Sequence, residues 1–256
     1  MPLTLTPLIG IPLVQPGDDL ASILLQALRQ TGLSLVDGDI LVLAQKIVSK
    51  SEGRLVQLSQ VSPTPRAVEL AAQTEKDPRL VELILRESRE VLRTRPGTII
   101  VEHRLGFVCA NAGIDHSNVG DSHLELPEEC MLLLPENPDT SAQRLRQCLG
   151  EATGARIGVL IIDSHGRAWR LGTVGLAIGL AGLPGLADLR GQPDLFGYRL
   201  RITEVGVADE LAAAASLVMG QADEGTPAIH VRGFPYPLRE ASLAELIRPK
   251  NLDLFR

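Results

Sequence analysis

Apolar and polar positions alternate with two distinct periods along this chain, and each change of period marks a new element. Residues 9–14 form a short apolar segment interrupted by Gly10 and Pro12, and Pro16-Gly17 makes a turn. Apolar side chains at 20, 23, 24, 27 and 28 repeat at helical spacing behind Asp18 and Asp19, either of which can cap, so the pattern predicts a helix over Leu20–Gln30. The turn Asp37-Gly38-Asp39 leads into Ile40–Ala44, an apolar run of strand length. Residues 45–53 then carry the polar side chains Gln45, Lys46, Ser49, Lys50 and Glu52 away from that strand. Thr64-Pro65 and Asp77-Pro78 are cap-then-proline starts and predict helices running to about residue 74 and about residue 93. Thr98–His103 and residues 107–110 read as a hairpin turning at Leu105-Gly106, residues 111–120 as a polar loop, and residues 131–134 as a strand. A helix capped by Asp139 or Thr140 follows, to about residue 149.

Residues 157–162 are aliphatic apart from Gly158, the signature of a strand buried on both faces, and the run ends abruptly at Asp163-Ser164-His165-Gly166-Arg167. Over residues 172–185 glycine recurs every three or four positions, a spacing suited to close backbone packing. Residues 200–205 and 228–231 read as strands, and residues 242–247 as a last helix. Residues 208–219 read as an alanine-rich helix capped by Asp209 or the residue before it. No solenoid period is present, and helices and strands mix without strict β-α-β alternation. The predicted fold is α+β or mixed α/β, two-lobed, and neither Rossmann nor P-loop.

Composition narrows the function. The chain has 256 residues, 45% hydrophobic and 22% charged, enough for one large or two small domains with a real core and far from a disordered composition. A net charge of −6 with 3% aromatic residues argues against nucleic acid as a partner. Cys109, Cys130 and Cys148 form no CxxC pair, which fits a reducing cytosol better than a disulfide framework. The longest uncharged run, residues 171–187, holds five glycines and Pro184 and reads as buried or loop backbone rather than a membrane span. The first basic residue is Arg29, so no signal peptide is expected, and the protein is read as soluble and cytoplasmic. There are 4 lysines against 21 arginines, yet Lys46 and Lys50 share one short stretch, where a compact point charge was kept.

Three segments, 41–53, 108–120 and 160–172, deliver small polar or acidic residues from an apolar strand toward a glycine-bearing turn, a common place for ligand groups. Asp163 is the sharpest candidate. A carboxylate just beyond a buried aliphatic run needs a metal, a donor or water, and Ser164 beside it supplies a hydroxyl of the kind that holds Mg²⁺ next to nucleotide phosphates. The same position equally suits an aspartate capping a turn. Asp115, in Asn111-Ala112-Gly113-Ile114-Asp115, offers a second hard oxygen ligand or an ordinary Asx-turn. Lys46 and Lys50, four apart, could share a phosphate or simply form a solvated basic face. Gly220-Gln221-Ala222-Asp223-Glu224-Gly225 could close a helix or wrap a ligand. Walker A, GxGxxG, GxSxG and HExxH patterns are absent, His116 and His165 read as solvent-facing loop histidines, and Cys109 as a buried thiol.

Taken in order, these segments resemble the F420-0:L-glutamate ligase (F420 γ-glutamyl ligase) family from about residue 8 to about residue 233. The anchors are Gly10-Ile11-Pro12-Leu13-Val14, residues 46–53 (KIVSKSEG), residues 108–115 (VCANAGID), residues 161–167 (IDSHGR preceded by Ile161), residues 175–179 (GLAIG), residues 207–210 (VADE) and residues 217–220 (LVMG). The resemblance implies a GTP-dependent amide ligase that joins L-glutamate to the lactyl carboxylate of F420-0 through an acyl phosphate. It implies two divalent ions, Mg²⁺ or Mn²⁺, admits K⁺ beside them, and implies a homodimer. Carried over residue by residue, it puts metal ligands at Asp115, Asp163, Ser164 and Gln221, the first three also serving catalysis. It puts GTP contacts at Ile11, Pro12, Leu13, Val14, Gln45, Lys46, Lys50, Asn118, Met219, Gly220, Gln221, Ala222, Asp223, Glu224, Gly225 and Thr226. The chain departs from the family at Ser164, where threonine is frequent, at His165, where asparagine is frequent, and at Gln221, where relatives can carry glutamate. Some relatives continue into a nitroreductase-like domain; residues 1–256 are expected to be a single unit without one. A ligase of the same fold joining a different acid and amine, and a non-catalytic nucleotide-binding protein, are the rival readings.

Overall fold

The computed structural model describes residues 2–119 and 129–254. In chain order it contains β1 (Thr4–Pro7), α1 (Leu20–Gln30), β2 (Ile40–Ala44), α2 (Gln45–Ser51), β3 (Leu55–Gln57), α3 (Pro65–Thr74), α4 (Pro78–Arg86), β4 (Ser88–Arg95), β5 (Thr98–His103) and β6 (Val108–Ala110). Then follow β7 (Cys130–Leu132), α5 (Pro138–Thr153), β8 (Gly158–Arg167), β9 (Arg170–Ala181), β10 (Ala187–Asp188), β11 (Glu204–Val205), α6 (Val207–Met219) and β12 (Ala228–Arg232). The fold is mixed α+β. Among the described residues no helix is long and apolar enough to cross a membrane.

The centre is a five-stranded sheet in the order β1-β12-β2-β8-β9, with β2 and β8 parallel and every other pair antiparallel. β2 and the first half of β8 are apolar at almost every position because both faces are covered. Leu41, Leu43, Val159 and Ile161 pack with Leu24, Leu28 and Leu149 of α1 and α5 on one face. Ile40, Val42, Leu160 and Ile162 pack with Ala208, Leu211 and Ala215 of α6 on the other. A smaller region sets α3 and α4 on the sheet β4-β5-β6, with Leu70, Val81, Ile84, Ile99 and Val101 at its core. Arg54 ties the two regions together by donating to Leu134 O at 2.9 Å and to Glu87 Oε1 at 3.1 Å.

The helix starts follow local chemistry. Asp19 accepts from the amides of Ala21 and Ser22, Thr64 from Ala67 and Asp77 from Arg79, with Pro65 and Pro78 in the first turns. Asp18 instead accepts from Gln15 N. Two expected caps are employed elsewhere. Asn137 caps α5, while Asp139 reaches across to the amides of Leu180 and Leu243. Gly206 precedes α6, while Asp209 accepts from Ala177 N.

Several expectations need correction, each for a tertiary reason. The helix after Asp77 stops at Arg86, and the residues beyond it form β4, because pairing with β5 supplies backbone partners that a continued helix would forgo. The aliphatic strand does not end at Asp163; β8 runs on to Arg167, paired with β9 throughout. Residues 45–51 form a helix. Of residues 200–205 only Glu204 and Val205 pair as a strand, and residues 242–247 contain only a single 3₁₀ turn at Leu243–Glu245. β1 carried no recognised signal. The polar loop expected to end at Gly120 has that residue outside the described ones.

The glycine spacing over residues 172–185 serves close approach. A Cβ on Gly175 would lie 2.6 Å from Ala212 O of α6, and one on Gly179 would lie 2.3 Å from Pro138 of α5. β9 is therefore pressed against a helix on each face.

Candidate active site

One cleft of about 610 Å³ opens where β2, β6 and β8 deliver their C-terminal residues beneath the loop after α6. Its lining includes every candidate: Ile11, Pro12, Leu13 and Val14 on one wall, Gln45, Lys46 and Lys50 from α2, Asp115 and Asn118 from the loop after β6, Asp163 and Ser164 from β8, and all residues from Met219 to Thr226.

The first half of the floor is built around Asp115. The backbone reaches it through a tight turn in which Asn111, Ala112 and Gly113 all have positive φ (50°, 53° and 64°). Two consecutive non-glycine residues there are strained, and strain of this kind persists where surroundings impose it. Here Asn111 Oδ1 accepts from Ile99 N at 3.0 Å, and a Cβ on Gly113 would lie 2.8 Å from Leu134. Asp115 is then pinned by its backbone to Leu132, with N–H···O distances of 3.0 and 2.9 Å. Gln45 Nε2 donates to Asp115 Oδ2 at 2.7 Å, and Ser49 Oγ donates to Gln45 Oε1 at 2.8 Å, which orients that amide. Lys46 Nζ lies 3.5 Å from the same carboxylate oxygen and donates to Ser117 O at 3.0 Å. Burial pushes the Asp115 carboxyl above its ordinary value; Lys46 opposes this, and the negative charge of Asp163 adds to it.

The second half comes from β8. Asp163 and Ser164 are consecutive, so their side chains leave opposite faces of the strand. Ser164 Oγ donates to Gln221 Oε1 at 2.8 Å, and Gln221 Nε2 donates to Ser216 Oγ of α6 at 3.0 Å. Asp163 Oδ2 lies 3.0 Å from His165 Nε2. His165 is buried, contrary to the expectation of a solvent-facing loop histidine, because β8 continues and carries it inward. Cys109 is buried as expected, and burial together with the Asp163 charge pushes its thiol up to about 12.

The roof is the loop of residues 220–226. Gly220 has φ 76° and ψ −177°, and a Cβ there would lie 2.0 Å from the Glu224 carboxyl, so only glycine fits. Glu224 accepts from Ala222 N at 2.8 Å, Thr226 Oγ1 donates to Met219 O at 2.8 Å, and Asn118 Nδ2 donates to Ala222 O at 3.0 Å, joining roof to floor.

The donor set decides what the cleft can hold. Among the described residues no three of His, Cys, Asp and Glu gather as a metal cage. The oxygens of Asp115, Asp163, Ser164 and Gln221 are all hard ligands, and the two carboxylates are close enough for one charge to raise the other's proton affinity. Such a set suits a hard divalent cation and leaves room for further oxygens from a ligand. Sequence reasoning missed His165 and Ser216. Read as a lone loop histidine, His165 is expected to face solvent, and Ser216 lies inside an alanine-rich helix with no chemical signal of its own.

A mixed α+β protein with a ligand-sized cleft on which several hard oxygen donors converge is the class that this fold and site define. The family described as F420-0:Gamma-glutamyl ligase matches residues 8–233. The chain is 51% identical over 249 residues to the Coenzyme F420:L-glutamate ligase of Methanothermobacter thermautotrophicus, spanning 96% of both chains. It is 47% identical over 247 residues to the protein of that name from Methanopyrus kandleri (95% of this chain, 93% of the relative). It is 42% identical over 250 residues to the one from Archaeoglobus fulgidus (98% and 95%). The chain belongs to the F420-0:gamma-glutamyl ligase family and is a ligase.

Proposed function

We propose that this protein joins L-glutamate to the lactyl carboxylate of F420-0 with GTP as the energy source, releasing GDP and phosphate. The observation that carries the reading is the convergence of Asp115, Asp163, Ser164, Gln221, Lys46 and Lys50, distant in sequence, on one cleft.

A carboxylate is a poor acylating agent, so the reaction begins by converting it into a better one. The acceptor's carboxylate oxygen takes the γ-phosphoryl group, the bond to the β-phosphate oxygen breaks, and GDP departs. The glutamate amine then attacks the acyl carbon, phosphate leaves with the bonding electrons, and the amine gives up a proton. Phosphoryl transfer asks a protein mainly for positioning and charge neutralisation. Asp115, Asp163, Ser164 and Gln221 would hold the divalent cations, Mg²⁺ or Mn²⁺, which would neutralise triphosphate oxygens. Lys46 and Lys50 add fixed positive charge on the same wall. The backbone of residues 220–226 and of residues 11–14 encloses the nucleotide, and Gly220 and Gly225 let the chain approach it closely.

We also assign the active form to a homodimer acting in the cytoplasm. Leu195, Phe196 and Ile202, in the segment between β10 and β11, are 98%, 95% and 87% exposed, and Trp169 and Leu171 protrude from the β8–β9 hairpin. A second copy would cover them.

Purified protein incubated with GTP, Mn²⁺, L-glutamate and F420-0 is expected to yield a product heavier by one glutamyl residue, with GDP released in proportion; ATP in place of GTP is expected to support little turnover. GDP release only with another acid or amine would move the assignment to a different acceptor pair. Nucleotide binding without any turnover would refute the reaction.

A further inference from the structure

The unassigned group nearest the cleft's chemistry is His165, which lines the cleft on β8 beside its carboxylate. It stands two residues after Asp163 on β8, so the two side chains share a strand face. Its Nε2 lies 3.0 Å from Asp163 Oδ2, and the ring is 6% exposed. An ionised carboxylate only accepts, so the contact selects the tautomer with the proton on Nε2. The ring is also held from behind. Phe107 lies against it at 5.2 Å between centroids, tilted by 49°, and Phe107 in turn stacks on the buried His103 at 5.1 Å and 4°. Among the described residues no hydrogen bond is made to Asp163 Oδ1.

We propose that His165 is the positioning residue of Asp163: its Nε2–H holds Oδ2, backed by Phe107, and so fixes the carboxylate with Oδ1 turned to a divalent cation in the cleft. The inference rests on the reading of Asp163 as a metal ligand. Hydrogen bonds from outside the ligand sphere set the orientation of ligating side chains, and losing one weakens metal binding about 10- to 100-fold. Buried polar groups also need partners, so the imidazole and the carboxylate satisfy each other when the cleft is empty.

The test titrates wild-type, His165→Ala and His165→Gln proteins with Mn²⁺ at constant GTP, without glutamate or acceptor. Uptake is followed by the EPR signal of unbound Mn²⁺ against a protein-free GTP blank, and thermal melts record folding. His165→Ala is expected to bind Mn²⁺ about 10- to 100-fold more weakly while still folded, and His165→Gln, which keeps an N–H at similar reach, to recover most of the loss. If alanine fails to fold, His165→Leu, which fills the volume without a donor, takes its place with the same expected and overturning results. Unchanged Mn²⁺ affinity in the donor-free variant overturns the proposal, as does a glutamine variant as weak as the donor-free one, since the ring would then act by packing alone. Wild-type protein that takes up no Mn²⁺ beyond the blank overturns the metal reading of Asp163 together with this one.

Discussion

Asp163 and Glu87 illustrate two uses of a carboxylate in this protein. Asp163 is held by one imidazole and faces a cleft; Glu87 is enclosed by cations and joins two regions of the fold. Asp163→Asn keeps size and a partner for His165 but halves the cleft's paired negative charge, so kcat is expected to fall by about a thousandfold or more with an unchanged melting temperature. GDP release and a thermal melt check this, and near-normal turnover would remove Asp163 from the machinery. For Glu87, burial opposes ionisation, but His103 at 3.7 Å and the guanidiniums of Arg104 and Arg54 outweigh it and hold the carboxyl at about 2. A depressed carboxylate stabilises the fold fully above its ordinary value of 4.5, and that contribution is lost as pH falls from there toward 2. Glu87→Gln is expected to lower stability at neutral pH by about 3 kcal/mol and to flatten the acid limb of stability between those values, measured by urea unfolding across pH.

At the scale of elements, the β9–α6 pair and the loop that follows it set the roof of the cleft. α6 lies on β9 because Gly175 lets the helix backbone come close, and the chain leaves α6 through Gly220 in a conformation closed to other residues. Gly220→Ala meets both a positive φ and the Glu224 carboxyl. It is expected to raise the nucleotide KM about tenfold, the roof being re-formed at a cost of about 1–3 kcal/mol, while the global melting temperature moves little. Steady-state kinetics with GTP check this; an unaltered KM would mean that the loop does not enclose the nucleotide.

For the whole molecule, Leu195, Phe196 and Ile202 between β10 and β11 are almost fully exposed and, among the described residues, belong to neither core that flanks the central sheet. Phe196→Asp is expected to convert a wild-type dimer into monomer in light scattering at micromolar concentration without lowering the melting temperature of the monomeric fold, because the side chain is already 95% exposed there. A monomeric wild-type protein would refute the dimer.

What the sequence alone determined is whatever short-range chemistry decides. Leu20–Gln30 was legible to the residue because its cap, Asp19, and its apolar period are local, and Ile40–Ala44 because an unbroken apolar run follows the turn at Asp37-Gly38-Asp39. The starts of α3 and α4 were legible from Thr64-Pro65 and Asp77-Pro78 for the same reason. The candidate site residues were legible as types, two aspartates, a serine and two lysines near glycine, but in separate segments whose meeting no local pattern states; their assignment came from family resemblance. Only the tertiary structure decided that Asp139 and Asp209 bind distant amides instead of capping helices, that residues 88–95 pair with β5, and that β8 runs on through Asp163 to bury His165. In each case the deciding partner lies far away in sequence, and a backbone amide or carboxylate takes whichever partner the packed chain brings within about 3 Å.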